Sequence, residues 1–62
     1  MDDLKVGDEI EWKEWTGEVR QGTVLEIFDN DWTVYVKFFR GNFNDYAEVG
    51  LNRITKINGV KV

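Results

Sequence analysis

Residues 32–39 read Trp32-Thr33-Val34-Tyr35-Val36-Lys37-Phe38-Phe39, and they constrain the fold more than any other segment. Alternation sets Trp32, Val34, Val36 and Phe38 on one face and Thr33, Tyr35, Lys37 and Phe39 on the other. β-Branched and aromatic residues fill the run, which suits a pleated strand with one face in a core. Residues 8–13 repeat the pattern, with Ile10 and Trp12 inward and the acids Asp8, Glu9 and Glu11 around them. A first strand on the outer side of a sheet is expected there.

Residues 19–28 read as a strand that contains Gly22. Val24 and Ile27 lie three apart, so the alternation slips near Leu25-Glu26, the mark of a β-bulge or a sharp bend. Asp29-Asn30-Asp31 tolerate turn dihedrals and bond their own backbone, which predicts a hairpin into residues 32–39. After Phe39 the pattern stops. Residues 40–45, Arg40-Gly41-Asn42-Phe43-Asn44-Asp45, read as a loop, and residues 46–51 as a short strand or one 3₁₀ turn. Residues 53–57, then Asn58-Gly59, then Val60-Lys61-Val62, carry the signature of a two-residue type I′ hairpin, whose central positions both need positive φ.

Five short strands, no proline and no helical periodicity predict an all-β fold, and closure protects the edges of so many short strands. The expectation is a small five-stranded SH3-like barrel with a C-terminal Asn-Gly hairpin, a single domain over residues 1–62. A chain of 62 residues has room for one core. It has neither cysteine nor histidine to staple it, and nine aromatic residues instead, each able to bury roughly 150–250 Å².

The same absences bound the chemistry. Without histidine, cysteine or serine, the usual metal sites, Cys–His pairs and Ser-His-Asp triads cannot be assembled, so no metal, no cofactor and no enzymatic activity are expected. Asp29, Asn30 and Asp31 lack the spacing, central glycine and terminal glutamate of a calcium loop. Glu9 and Glu11 share a strand face with no companion pocket in view, which sets aside paired-carboxylate hydrolysis. Met1-Asp2-Asp3-Leu4 opens acidic, so no secretory signal is expected there, and no run approaches the about 20 apolar residues of a membrane span. A cytoplasmic location without membrane association is expected.

The net charge is −4, and it is unevenly placed. Seven acids (Asp2, Asp3, Asp8, Glu9, Glu11, Glu14, Glu18) face only Lys5 and Lys13 within residues 1–18. An acidic domain repels phosphate at long range, which disfavours nucleic acid as a partner unless the basic residues converge.

Val6-Gly7-Asp8-Glu9-Ile10-Glu11-Trp12-Lys13, Gly22-Thr23-Val24, Asp29-Asn30-Asp31 leading to Val34 and Val36, and Ile54 through Val60-Lys61-Val62 resemble the YkvS-like family of small uncharacterised bacterial proteins. The resemblance implies a small β-barrel of cytoplasmic residence and names no ligand. The chain departs from that family at Lys56-Ile57, where the family carries an Asn-His pair, and around Thr16-Gly17-Glu18, where it is longer. Gly22-Thr23-Val24 is more loosely similar to KOW-type and Tudor-like modules, in which the glycine permits a bend or a close backbone approach.

Five aromatic residues fall outside the inward set. Trp15, Tyr35, Phe39, Phe43 and Tyr46, flanked by Arg40, are expected to form one patch suited to an extended peptide or a cationic side chain. The alternative is that residues 40–49 fold over the outer face and bury these rings as a satellite core. Lys37, Arg40, Arg53, Lys56 and Lys61 are the basis of a second reading, a KOW-like RNA or ribosome contact. The leading expectation is a non-catalytic module that binds a protein or peptide. A structural accessory domain of a longer protein is a third reading, and the sequence is silent on oligomeric state.

Overall fold

In a computed structural model, which describes residues 4–62, the chain is all-β and forms one antiparallel sheet. The acidic opening at Asp2 and Asp3 lies outside the described residues. The strands are β1 (Glu9–Lys13), β2 (Val19–Phe28), β3 (Thr33–Arg40), β4 (Phe43–Gly50), β5 (Ile54–Ile57) and β6 (Val60–Lys61), with 3₁₀ turns at Asp29–Asp31 and Leu51–Arg53. Their order across the sheet is β4-β3-β2-β1-β5-β6.

Two expectations are corrected. Among the described residues there are six strands rather than five, because residues 43–50 do not form a loop followed by a short element. Gly41, with φ +63°, and Asn42 make a tight connection, and Arg40 pairs directly with Phe43 to start an eight-residue strand. The hydrogen-bonded ladder has β4 and β6 at its two ends. Trp32 is corrected as well. It adopts φ 54° after the first 3₁₀ turn, ahead of the ladder that begins at Phe28 and Thr33, and is exposed rather than inward.

The remaining alternation holds. Ile10, Trp12, Val24, Val34, Val36, Phe38, Val49 and Ile54 are buried together with Leu4. The slip near Leu25 is a real irregularity: Val24 pairs with Val36 and Glu26 with Tyr35, leaving Leu25 as the extra residue. A second shift, between Glu11 and Trp12 against β5, leaves Thr55 extra. Such irregularities increase twist and bend a strand. No helix among the described residues covers the sheet, so the core face reaches near-zero exposure by packing against itself.

Gly22 sits at the tightest point. It pairs with Ile10 on one side and Phe38 on the other, and the Trp12 and Phe38 rings meet edge to face above it, 5.5 Å between centroids. A Cβ there would lie 2.6 Å from the Lys37 carbonyl oxygen and 3.2 Å from the Trp12 ring. The C-terminal hairpin forms as expected, with Asn58 at φ 51° and Gly59 at φ 81°.

Candidate functional site

Strand parity decides where each candidate residue goes. In the β3–β4 register, Val34 faces Val49, Val36 faces Ala47, Phe38 faces Asp45 and Arg40 faces Phe43, all on the core side. Tyr35 faces Glu48, Lys37 faces Tyr46 and Phe39 faces Asn44, all on the outer side. The expected single aromatic patch therefore separates into two groups. Tyr35, Phe39 and Tyr46 share the outer face with Lys37. Phe43 and Arg40 belong to the rim of the core face, and Trp15 stands in the β1–β2 turn.

Trp15 and Arg40 of the rim group line a cleft of about 430 Å³ with Glu14, Glu18, Arg20, Phe38 and Asp45, and Tyr46 also borders it. Trp15 is 92% exposed because it occupies a corner of a turn that closes when Gly17 N–H donates to the Glu14 carbonyl at 2.9 Å. Much of the cleft is already engaged by the chain itself. The Arg53 guanidinium lies over the Trp15 ring at 4.9 Å, and that of Arg20 over Phe38 at 5.5 Å. The Glu14 carboxylate accepts the Trp12 Nε1–H at 3.1 Å and lies 3.4 Å from Arg20 and 3.9 Å from Arg53. Arg20 also reaches Glu18 at 3.0 Å. These groups tie the β1–β2 turn to the sheet and pin the one indole that forms the centre of the core.

The outer face is different. Tyr35 and Tyr46 stack on a diagonal of the β3–β4 ladder, 5.8 Å apart and 11° from parallel. Phe39 remains 75% exposed and Tyr46 49%, so no loop covers them; the segment expected to fold over them is β4, in register beside β3. Phe39 and Leu25 flank a groove of about 460 Å³ that also exposes Gln21, Thr23 and Lys37. A second groove, of about 260 Å³, continues from it across β1 to Lys56, sharing Glu9 and Gln21 with the first. The sequence marked Leu25 only as part of the bend, and its place in the groove and the continuity of the two grooves follow from the bulge and the β1–β2 register.

The two grooves hold ordered carboxylates. Glu9 accepts from the Thr23 hydroxyl at 2.8 Å and Glu11 from the Thr55 hydroxyl at 2.7 Å. Glu11 is held below its ordinary carboxylate range chiefly by that Thr55 bond, against desolvation, with the Lys56 charge and Gln21 assisting. Lys56 Nζ lies 3.8 Å from Glu11.

The five basic candidates do not converge. Arg40 lies 3.6 Å from Asp45, Arg53 and Lys56 pair with Glu14 and Glu11, Lys61 faces Lys56 across the β5–β6 hairpin, and Lys37 stands on β3, with β2 and β1 between it and β5. No helix among the described residues is long and apolar enough to cross a membrane. In comparisons with known proteins, no family model matches the chain, and no curated protein or solved structure matches it either.

Proposed function

We propose that this chain is an SH3-like small barrel that acts as a non-catalytic module, binding an extended peptide of a partner protein across its outer face. The strand order β4-β3-β2-β1-β5, the bulges at Leu25 and Thr55, and the 3₁₀ turn delivering β5 back onto β1 support the fold assignment. The observation that carries the binding role is Phe39. A phenylalanine ring three-quarters exposed beside a groove, next to a stacked tyrosine pair, is apolar surface that folding leaves unused. Aromatic anchors flanked by polar and charged groups are the usual composition of a protein-recognition patch.

The RNA reading is weaker. Stacking rings beside Lys37 suit a single strand, but Arg40, Arg53 and Lys56 each have a carboxylate within 4 Å, and the chain carries −4 overall. The test is selection of peptides from a random displayed library, followed by amide-shift mapping and affinity measurement. Shifts should cluster on Leu25, Lys37, Phe39 and Tyr46, and Phe39→Ala should weaken binding about tenfold, as loss of an aromatic anchor does, with an unchanged melting curve. Shifts confined to the β1–β2 turn would overturn the assignment. An RNA oligonucleotide bound tightly at low salt and released steeply by added salt would replace it with the second reading.

A further inference from the structure

β4 forms one end of the sheet, and its backbone pattern can be read residue by residue. In an antiparallel ladder, a residue's N–H and C=O serve the same neighbour, and successive residues serve opposite neighbours. Leu51 N–H donates to the Trp32 carbonyl at 2.8 Å, which assigns the odd-numbered residues of this segment to β3. Asn44, Tyr46 and Glu48 therefore turn their backbone groups toward the open side. Tyr46 agrees: its N–H donates at 2.8 Å to the side chain of Asp45.

The two ends of the sheet are unequal. β6 is two residues long and carries Lys61, both of which discourage pairing with another chain. β4 is eight residues long, about 26 Å at the usual rise, with neither proline nor a basic residue. It presents Asp45 and Glu48, and Glu26 of β2 joins Glu48 on either side of Tyr35. Neither Glu26 nor Glu48 takes part in an ion pair among the described residues.

We infer that the free edge of β4 accepts an extended, basic segment of a partner protein as an added strand. This rests on the binding role proposed above and gives it a mode and a ligand class. The Asp45 carboxylate occupies the place that the incoming carbonyl takes at Tyr46 N–H, and on displacement it has the Arg40 guanidinium, already 3.6 Å away, to fall back on. Alternate side chains of the added strand lie on the outer face, an apolar one beside Tyr46 and a lysine or arginine beside Glu48. A second copy of this chain fits the same edge poorly, because it would set acidic β4 against acidic β4.

The experiment uses the full chain and two synthetic octapeptides with threonine at every second position, the positions between them alternating lysine with valine in one and glutamate with valine in the other, so that one face offers a charged and an apolar side chain in turn. The lysine peptide should bind, and the glutamate peptide should not. Amide exchange should slow at Asn44 and Glu48 on binding, with Asp45 and Ala47, which already bond β3, unchanged. Asn44→Pro, which removes an edge donor without breaking a bond to β3, should weaken binding about fivefold, the loss of one hydrogen bond. Asp45→Ala should tighten it by about threefold or more, a gain that misfolding cannot imitate. Equal binding of both peptides, or of neither, overturns the ligand class. Binding that responds to Phe39→Ala but to neither edge variant overturns strand addition and leaves the outer-face role standing. Dimerisation of Asp45→Ala in sedimentation, without peptide binding, assigns the edge to a second copy and overturns the inference.

Discussion

Gly22→Ala is the sharpest test of how the sheet bends. The added Cβ would stand 2.6 Å from the Lys37 carbonyl oxygen, 3.1 Å from the Phe38 Cβ and 3.2 Å from the Trp12 ring. Ordinary contact begins at about 3.5 Å, so the Lys37 carbonyl must retreat by roughly 1 Å and the Trp12 ring by a few tenths of an ångström. The nearest atom is part of the β2–β3 ladder, so no side-chain rotation relieves the clash. Overpacking of this kind costs about 1–3 kcal/mol, while replacing glycine elsewhere gains about 0.4–1 kcal/mol from the unfolded chain. The net expectation is a loss of about 1–2 kcal/mol out of the roughly 3–9 kcal/mol that 62 residues sustain. Since 1 kcal/mol moves the midpoint of a domain this size by about 4–8 °C, the melting temperature should fall by about 5–15 °C. Urea unfolding followed by tryptophan fluorescence reads the free energy, and ring-current shifts of Phe38 read the loosened contact. A variant as stable as the parent, or more so, would refute the close approach at Gly22.

Two further substitutions probe the lesser devices. Thr55→Val removes the bond that does most to lower the Glu11 pKa. Glu11, lowered in the folded state, contributes stability that is present above its unfolded pKa and lost as pH falls through the folded value. In the variant its carboxyl carbon should titrate at higher pH, and urea stability should fall less steeply in acid. An unmoved Glu11 titration would remove the Thr55 bond as the cause. Gly59→Ala forces an L side chain to φ 81°, which costs about 1–2 kcal/mol and should lower the midpoint accordingly, with Gly59→Asn milder; equal stability of all three would mean that the hairpin is not held in that turn.

The inward set was legible because Ile10, Trp12, Val34, Val36 and Phe38 alternate against polar neighbours, and burial on one face leaves that trace. The bulge was legible because Val24 and Ile27 break the count by one residue. β4 was not legible, although Gly41-Asn42 is a two-residue turn signal of the same kind as Asn58-Gly59. The reason is physical. At the tip of the β3–β4 hairpin the core-side Phe43 is exposed and Asp45, though half-buried, is charged, so Phe43, Asn44 and Asp45 show no apolar–polar alternation, and only Val49 of the strand is fully buried. Losing β4 also hid the register, and without the register Phe39 and Phe43 seem to belong together. One residue of parity puts them on opposite sides of the sheet.

That parity also separates structural aromatics from available ones. On the rim, apart from the exposed Phe43, the charged and aromatic groups around the cleft are met by others from the same chain: Arg53 on Trp15, Arg20 on Phe38, Glu14 on Trp12, Arg20 and Arg53. A ligand entering there must replace interactions already made, and its gain is only the difference. On the outer face, Phe39 has no ring or cation over it among the described residues, the Tyr35–Tyr46 stack leaves an outward surface, and Glu48 has no ion partner. Apolar area there is removed from water for the first time when a partner arrives, so its burial favours binding without first breaking a contact, offset by the cost of ordering the partner. The acidic charge that disfavours phosphate then becomes an asset, since it draws a basic segment toward the only long edge the described sheet leaves unpaired.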